Sequence, residues 1–134
     1  MTHVSDGDTL WVQPLTRHKA VKVRILGIDA PEICQAWGAQ SHSMLESVTL
    51  GRDVQVLGSH TDAYGRLLAH IFLQGHDVGA WMVLHGYAWS YAFKSHRGLY
   101  EGEQMAAQSL QAGLFGNSSA MEPRFFRRRF GNCP

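Results

Sequence analysis

A chain of 134 residues is long enough for one hydrophobic core and too short for two full-sized domains. Its 45% hydrophobic and 17% charged content excludes disorder and a coiled coil, and no run of 18 apolar residues offers a membrane span. The formal net charge of +1 speaks against a nucleic-acid partner only until its distribution is considered: Glu122–Pro134 holds four arginines against one acid, a net +3, while the other 121 residues carry eight bases and ten acids, a net −2.

In chain order, Thr9–Gln13 and Ala20–Leu26 read as strands joined by a hairpin loop at Pro14–Lys19. In the second strand Val21, Val23 and Ile25 alternate with Lys22 and Arg24, so one face packs inward and the other presents two cations. A helix follows over Ala36–Leu50, with Trp37, Met44, Leu45 and Val48 at helical spacing and Gly51 beyond its end. Asp53–Leu57 and Leu67–Leu73 read as two more strands around the turn sequence Asp62-Ala63-Tyr64-Gly65. Asp77 is an N-cap for a short helix closed by Gly86, and a last helix spans Gly98–Ala112, with Leu99, Ala106 and Leu110 on one side and Gly113 as its C′ residue. Strands, helix, strands and two helices in this order describe an α+β domain, a small antiparallel barrel with helices attached.

The tail, PRFFRRRF within Glu122–Pro134, supports two readings. It can contact phosphates and stack on bases, or it is a solvated terminus whose Phe125, Phe126 and Phe130 dock on the core. Cys34 and Cys133 permit one disulfide tying that tail to the first third of the chain, or are two free thiols of a reducing compartment. The eight histidines and these cysteines give no zinc-ligand spacing. Met1-Thr2-His3-Val4 has no apolar signal region, which fits a cytosolic protein or a mature chain whose leader has been removed.

Two segments concentrate acids: Asp6-Gly7-Asp8-Thr9 heads one strand, and Asp29-Ala30-Pro31-Glu32 follows the other. Each alone is an ordinary turn sequence. If the strands pair as a hairpin, however, Asp8, Asp29 and Glu32 converge at one end of the sheet. Such carboxylates form a hard-oxygen site suited to Ca2+ or Mg2+. Arg24 is the odd residue in an apolar strand and needs an anionic partner, a carboxylate or a phosphate; Arg66 stands at the start of another strand. A cation, two guanidinium groups and a spare carboxylate are the parts of a phosphodiester-hydrolysing site.

DGDTLWV, RILGIDAPE and DAYGRLLAHIF together resemble the two signature segments of the thermonuclease (staphylococcal nuclease-like) family. With GYAWSYAF and the late GLFG, the resemblance runs from about Val4 to Gly116. It implies a five-stranded OB-fold β-barrel with three α-helices, and a domain over 1–116 with the basic, aromatic tail 117–134 packed on it or trailing. The implied activity is that of a Ca2+-dependent, sugar-nonspecific endonuclease leaving 3′-phosphate and 5′-hydroxyl ends. Carried to this sequence, the resemblance assigns Asp8, Asp29 and the backbone carbonyl of Ala30 to one Ca2+, Glu32 to the base and Arg24 and Arg66 to the phosphate. Tyr64, Tyr91 and Trp89 are the aromatic candidates for substrate contact.

The departures are also informative. Ala63 replaces the basic residue common at that place in the family, the segment around Tyr91 is shorter, and Asp6 reads as a loop-shaping residue. Only five residues precede Asp6, so the first barrel strand is expected to be curtailed. The expected partners are DNA and RNA, with single-stranded regions preferred and the protein a monomer. The setting is extracytoplasmic, secreted or periplasmic, where Ca2+ is plentiful and a Cys34–Cys133 disulfide is stable. The competing reading is a non-catalytic OB-fold module that binds single-stranded nucleic acid; such a module would be expected to have lost at least one of Asp8, Asp29, Glu32, Arg24 and Arg66, all of which are present.

Overall fold

The inward alternation of Val23 and Ile25 nucleates the sheet that organises this protein. A computed structural model describes residues 3–16, 18–91, 98–117, 120–131 and 133. Strands β1 (His3–Asp6), β2 (Thr9–Val12) and β3 (Val21–Ile25) form an antiparallel meander, with Val4 opposite Leu10 and Thr9 opposite Arg24. Strand β3 then pairs in parallel with β6 (Leu67–Leu73), which pairs antiparallel with β5 (Gln55–Thr61) and with the short β7 (His76–Asp77). The sheet order is β1-β2-β3-β6-β5, and a separate ribbon joins β4 (Ile28–Asp29) to β8 (Trp89–Ser90).

Helices α1 (Gly38–Thr49), α2 (Val78–Leu84) and α3 (Glu101–Ser109) pack around this sheet, and α4 (Pro123–Phe130) lies in the tail. The α+β, OB-type architecture is as expected; the sheet is mixed rather than antiparallel throughout, because β3 and β6 run parallel, and the element counts also differ. Among the described residues the main sheet has six strands rather than five, and there are four α-helices rather than three. Leu10, Val23, Ile25, Ile28, Leu45, Ile71 and Met82 are fully buried between sheet and helices. Each such side chain contributes roughly 1.5–3 kcal/mol relative to exposure.

Several local expectations are corrected. Strand β5 is displaced towards its C-terminal side, ending at Thr61 rather than Leu57. Its ladder with β6, from Gln55–Phe72 to Thr61–Leu67, overrides the weak strand propensity of the polar Gly58–Thr61 stretch. The buried stripe of α1 is Ser41, Leu45 and Thr49; its polar members are satisfied, Ser41 Oγ donating to the Tyr87 carbonyl (2.6 Å) and Thr49 Oγ1 to that of Leu45 (2.6 Å).

In α3 the buried residue is Ala107, while Leu99, Ala106 and Leu110 are exposed. The helix is oriented instead by buried Tyr100, whose hydroxyl donates to Asp77 Oδ2 at 2.7 Å. Asp77 caps α2 through its other oxygen, which accepts from the Ala80 amide at 3.2 Å. Residues 92–97, which include the end of the GYAWSYAF segment, lie outside the described part of the chain.

Candidate active site

The hairpin register brings the two acidic segments together. Thr9 stands opposite Arg24, and the Ile25 amide donates to the Asp8 carbonyl at 2.8 Å, so the start of β2 lies beside the end of β3. The chain then turns through Gly27, whose φ of +82° is one that side chains rarely adopt. A Cβ there would also come within 2.7 Å of the Tyr100 ring. The turn delivers Asp29 through β4, and the Ala30 amide donates to Asp8 Oδ2 at 2.9 Å. Asp8 and Asp29 are both buried, at 6% and 4% exposure.

Asp6 shapes the loop by accepting the Asp8 amide at 3.1 Å. Burial, and then the charge of Asp8, push its carboxyl up to about 8. Burial works in the same direction on Asp8. There it is outweighed by Arg24, by the Asp6 side chain, and by the Ala30 amide and Thr9 hydroxyl, which hold that carboxyl below its ordinary range. For Asp29 burial prevails over its arginine partners and raises it. The arrangement gathers desolvated carboxylates, and their negative charge is offset by protonation or by neighbouring positive charge.

Arg24 and Arg66 reach the same cleft from different strands. Arg24 Nη1 donates to the Ile25 carbonyl at 2.7 Å, while Nη2 lies 3.5 Å from Asp8 and 3.7 Å from Asp29. Arg66 is aimed by the DAYGR turn. Asp62 Oδ1 accepts the amides of Tyr64 and Arg66, both at 2.9 Å, and Asp62 Oδ2 accepts Arg66 Nε at 2.8 Å. These side chains line one cleft of about 690 Å³ together with Asp8, Asp29, Ala30 and Glu32.

The aromatic candidates divide. Tyr64, 83% exposed beneath the Arg66 guanidinium, and Tyr91 line the cleft. Tyr91 is drawn there by its amide, which donates to the Gly27 carbonyl at 2.9 Å. Trp89 does not line it: its ring packs edge-on against Phe115 at 4.9 Å, and its indole nitrogen is buried without a partner among the described residues. Trp89 instead lines a smaller adjoining pocket together with Asp29 and Tyr91.

Two contributors were not singled out from sequence. Asp62 is one, and its Asx-turn spacing to Tyr64 and Arg66 was the available signal. The other is Arg127. The tail does not trail, and its aromatic rings divide: Phe125 and Phe130 are 42% and 59% exposed, while Phe126 is half-buried. It forms α4 and sends Arg127 into the cleft, where Nη1 lies 2.5 Å from Glu32 Oε1, with Nη1 and Nη2 at 3.4 and 3.2 Å from the two Asp29 oxygens. Burial opposes the Arg127 charge, but these bonds more than compensate and hold the guanidinium above its ordinary value. The signal was the cysteine pair: Cys34 and Cys133 form a disulfide with Cα atoms 5.8 Å apart, and Cys34 is two residues from Glu32.

Among the described residues no three acidic, cysteine or imidazole side chains are arranged as ligands of one ion, and guanidinium groups engage Asp8, Asp29 and Glu32. The donor chemistry still fits a hard divalent cation, with two buried carboxylates and the carbonyl-bearing Ala30 between Asp29 and Glu32.

An OB-type barrel whose cleft joins carboxylates to guanidinium groups is the framework of a nuclease-type hydrolase. The chain belongs to the staphylococcal nuclease family: the family model described as "Staphylococcal nuclease homologue" matches residues 22–117. It is 37% identical to an "Uncharacterized endonuclease" of Haemophilus influenzae, over 94% of this chain and 70% of that protein. A protein of the same description in Escherichia coli O157:H7 is 33% identical over 96% of this chain and 84% of its own length. A "Micrococcal nuclease" of Shigella flexneri is 32% identical over 99% and 82%. Among the described residues no helix is long and apolar enough to cross a membrane.

Proposed function

We propose that this protein is a Ca2+-dependent endonuclease that hydrolyses phosphodiester bonds of DNA and RNA, leaving 3′-phosphate and 5′-hydroxyl ends. The observation that carries this reading is the convergence of Asp8, Asp29, Glu32, Arg24 and Arg66 on one cleft of a staphylococcal-nuclease barrel. Asp8, Asp29 and the Ala30 carbonyl are the groups suited to hold the ion. When bound, Ca2+ supplies positive charge to the phosphate and helps to organise the attacking water.

The remaining work belongs to side chains. Glu32 accepts a proton from water as its oxygen attacks phosphorus. Arg24 and Arg66 offer N–H groups to the non-bridging phosphate oxygens, whose charge grows in the five-coordinate transition state. The bond from phosphorus to the 5′-oxygen breaks, and that oxygen takes a proton from solvent water to leave as a hydroxyl. Tyr64 and Tyr91, on the cleft wall, are placed to stack on unpaired bases. That supports a preference for single-stranded regions. The Cys34–Cys133 disulfide supports work outside the cytoplasm, where such bonds persist.

Digestion of DNA and RNA with Ca2+, with Mg2+ and with chelator, followed by end-group analysis, tests the proposal. Cleavage with Ca2+ to 3′-phosphate ends is expected. Binding of single strands without cutting under any of these conditions would instead identify a non-catalytic module.

A further inference from the structure

Among the described residues of the tail, Arg127 is the one shown bonded to Asp29 and Glu32, and it reaches them from between two fixed points. Before α4, Gln35 Nε2 donates to the Met121 carbonyl at 2.5 Å and Pro123 is buried. Beyond α4, Cys133 is bonded to Cys34, and the Cys34 amide lies 3.2 Å from Cys133 Sγ. Both anchors grip the turn that follows Glu32, so α4 is held at the mouth of the cleft. Its other arginines are used locally: Arg124 pairs with Glu122 at 2.9 Å, and Arg128 and Arg129 lie over Phe125 and Phe130.

Arg127 takes both oxygens of Asp29 and one of Glu32. Asp29 is 5% exposed and Glu32 21%, so little water competes with the guanidinium there. Calcium requires the same kind of oxygen, and six to eight of them. A carboxylate whose two oxygens are committed to a guanidinium fork has to release at least one of those bonds to ligate an ion. Placing the guanidinium charge beside a divalent cation is unfavourable as well.

Resting on the calcium reading above, we infer that Arg127 is an internal counter-ion that competes with Ca2+ for Asp29 while it occupies the base Glu32, making α4 an element that sets the protein's calcium affinity. With Arg127 seated, Asp29 is neutralised and Glu32 is occupied. With Arg127 withdrawn, both carboxylates are available. The disulfide keeps the displaced arginine close, so it returns when calcium falls. If the seated state holds about nine-tenths of the free molecules, the apparent affinity for Ca2+ is reduced about tenfold.

The test is calorimetric titration of the intact protein with CaCl2, without nucleic acid, for wild type, Arg127→Gln and Arg127→Lys. Arg127→Gln is expected to bind about tenfold more tightly, and Arg127→Lys to fall between, because an ammonium keeps the charge but cannot form the fork. Unfolding midpoints in chelator and in saturating CaCl2 supply a second reading, with Arg127→Gln less stable than wild type in chelator and gaining more from calcium. Wild type binding Ca2+ with Arg127→Gln equal or weaker would overturn the role of Arg127 and leave the calcium reading standing. No binding by any of the three would remove both.

Discussion

Gly38 opens α1 and lies against the turn that carries Glu32. The Gln35 amide donates to the Glu32 carbonyl at 2.8 Å, and the Glu32 amide in turn donates to Gln35 Oε1 at 3.1 Å. A Cβ at Gly38 would stand 1.9 Å from the Glu32 carbonyl oxygen and 2.8 Å from that of Ile33, whereas real Cβ contacts essentially never fall below 3.0 Å. In Gly38→Ala the two backbones must therefore separate by at least 1.1 Å, the difference between 3.0 and 1.9 Å.

Helix propensity alone favours alanine by up to about 1 kcal/mol, but overpacking against backbone costs typically 1–3 kcal/mol. With a backbone contact this short the cost lies at the upper end of that range, and the clash wins with an expected net loss of about 2 kcal/mol. Since the displaced backbone belongs to Glu32, a misplacement of about 1 Å can lower turnover roughly 100-fold. Gly102→Ala in α3 is the matched control, because nothing lies within 4 Å of its Cβ position. It should be neutral or stabilising by up to about 1 kcal/mol, with unchanged kinetics. Denaturant unfolding and nuclease kinetics on both variants decide the matter. A Gly38→Ala protein as stable and active as wild type would refute the reasoning.

Further outcomes follow from the cleft and the core. Glu32→Gln should lower kcat by at least about 100-fold if Glu32 takes the proton from water, and a near-native rate would remove it from that role. Arg66→Lys should lower kcat/KM about 100-fold while the unfolding midpoint holds, since an ammonium cannot replace the planar fork that Asp62 aims. Tyr100→Phe should cost about 1.5–3 kcal/mol near neutral pH by removing the hydroxyl donor to Asp77. Burial, and then the hydrogen bond and charge of Asp77, hold the Tyr100 phenol above its ordinary value. The folded state thus keeps a proton that the unfolded chain releases above about pH 10, and stability falls as pH rises through that range. Tyr100→Phe should flatten this alkaline decline in chemical-denaturation curves, and an unchanged slope would count against the assignment.

The acids of DGDT and DAPE, the arginines at positions 24 and 66, and the capping Asp77 were legible in the residues, because short-range chemistry places them. Turn residues set the acidic loops, period-two alternation sets β3, and an Asx turn aims Arg66. Their convergence was also accessible, because a hairpin needs only local pairing to bring Asp8 beside the end of β3.

The misread features all depended on distant partners. The inward face of α3 was chosen by the Tyr100–Asp77 bond rather than by its apolar residues, which left Leu99 and Leu110 outside. Strand β3 pairs in parallel with the sequence-distant β6, where an antiparallel barrel was expected. Arg127 is the plainest case: 95 residues separate it from Glu32, and nothing near it in sequence distinguishes it from Arg124, Arg128 or Arg129. Sequence by itself determined the family, the barrel-type fold and the chemical groups of the cleft. Only the tertiary structure decided which tail arginine meets them, because that choice follows from where the disulfide and the Gln35–Met121 bond anchor α4.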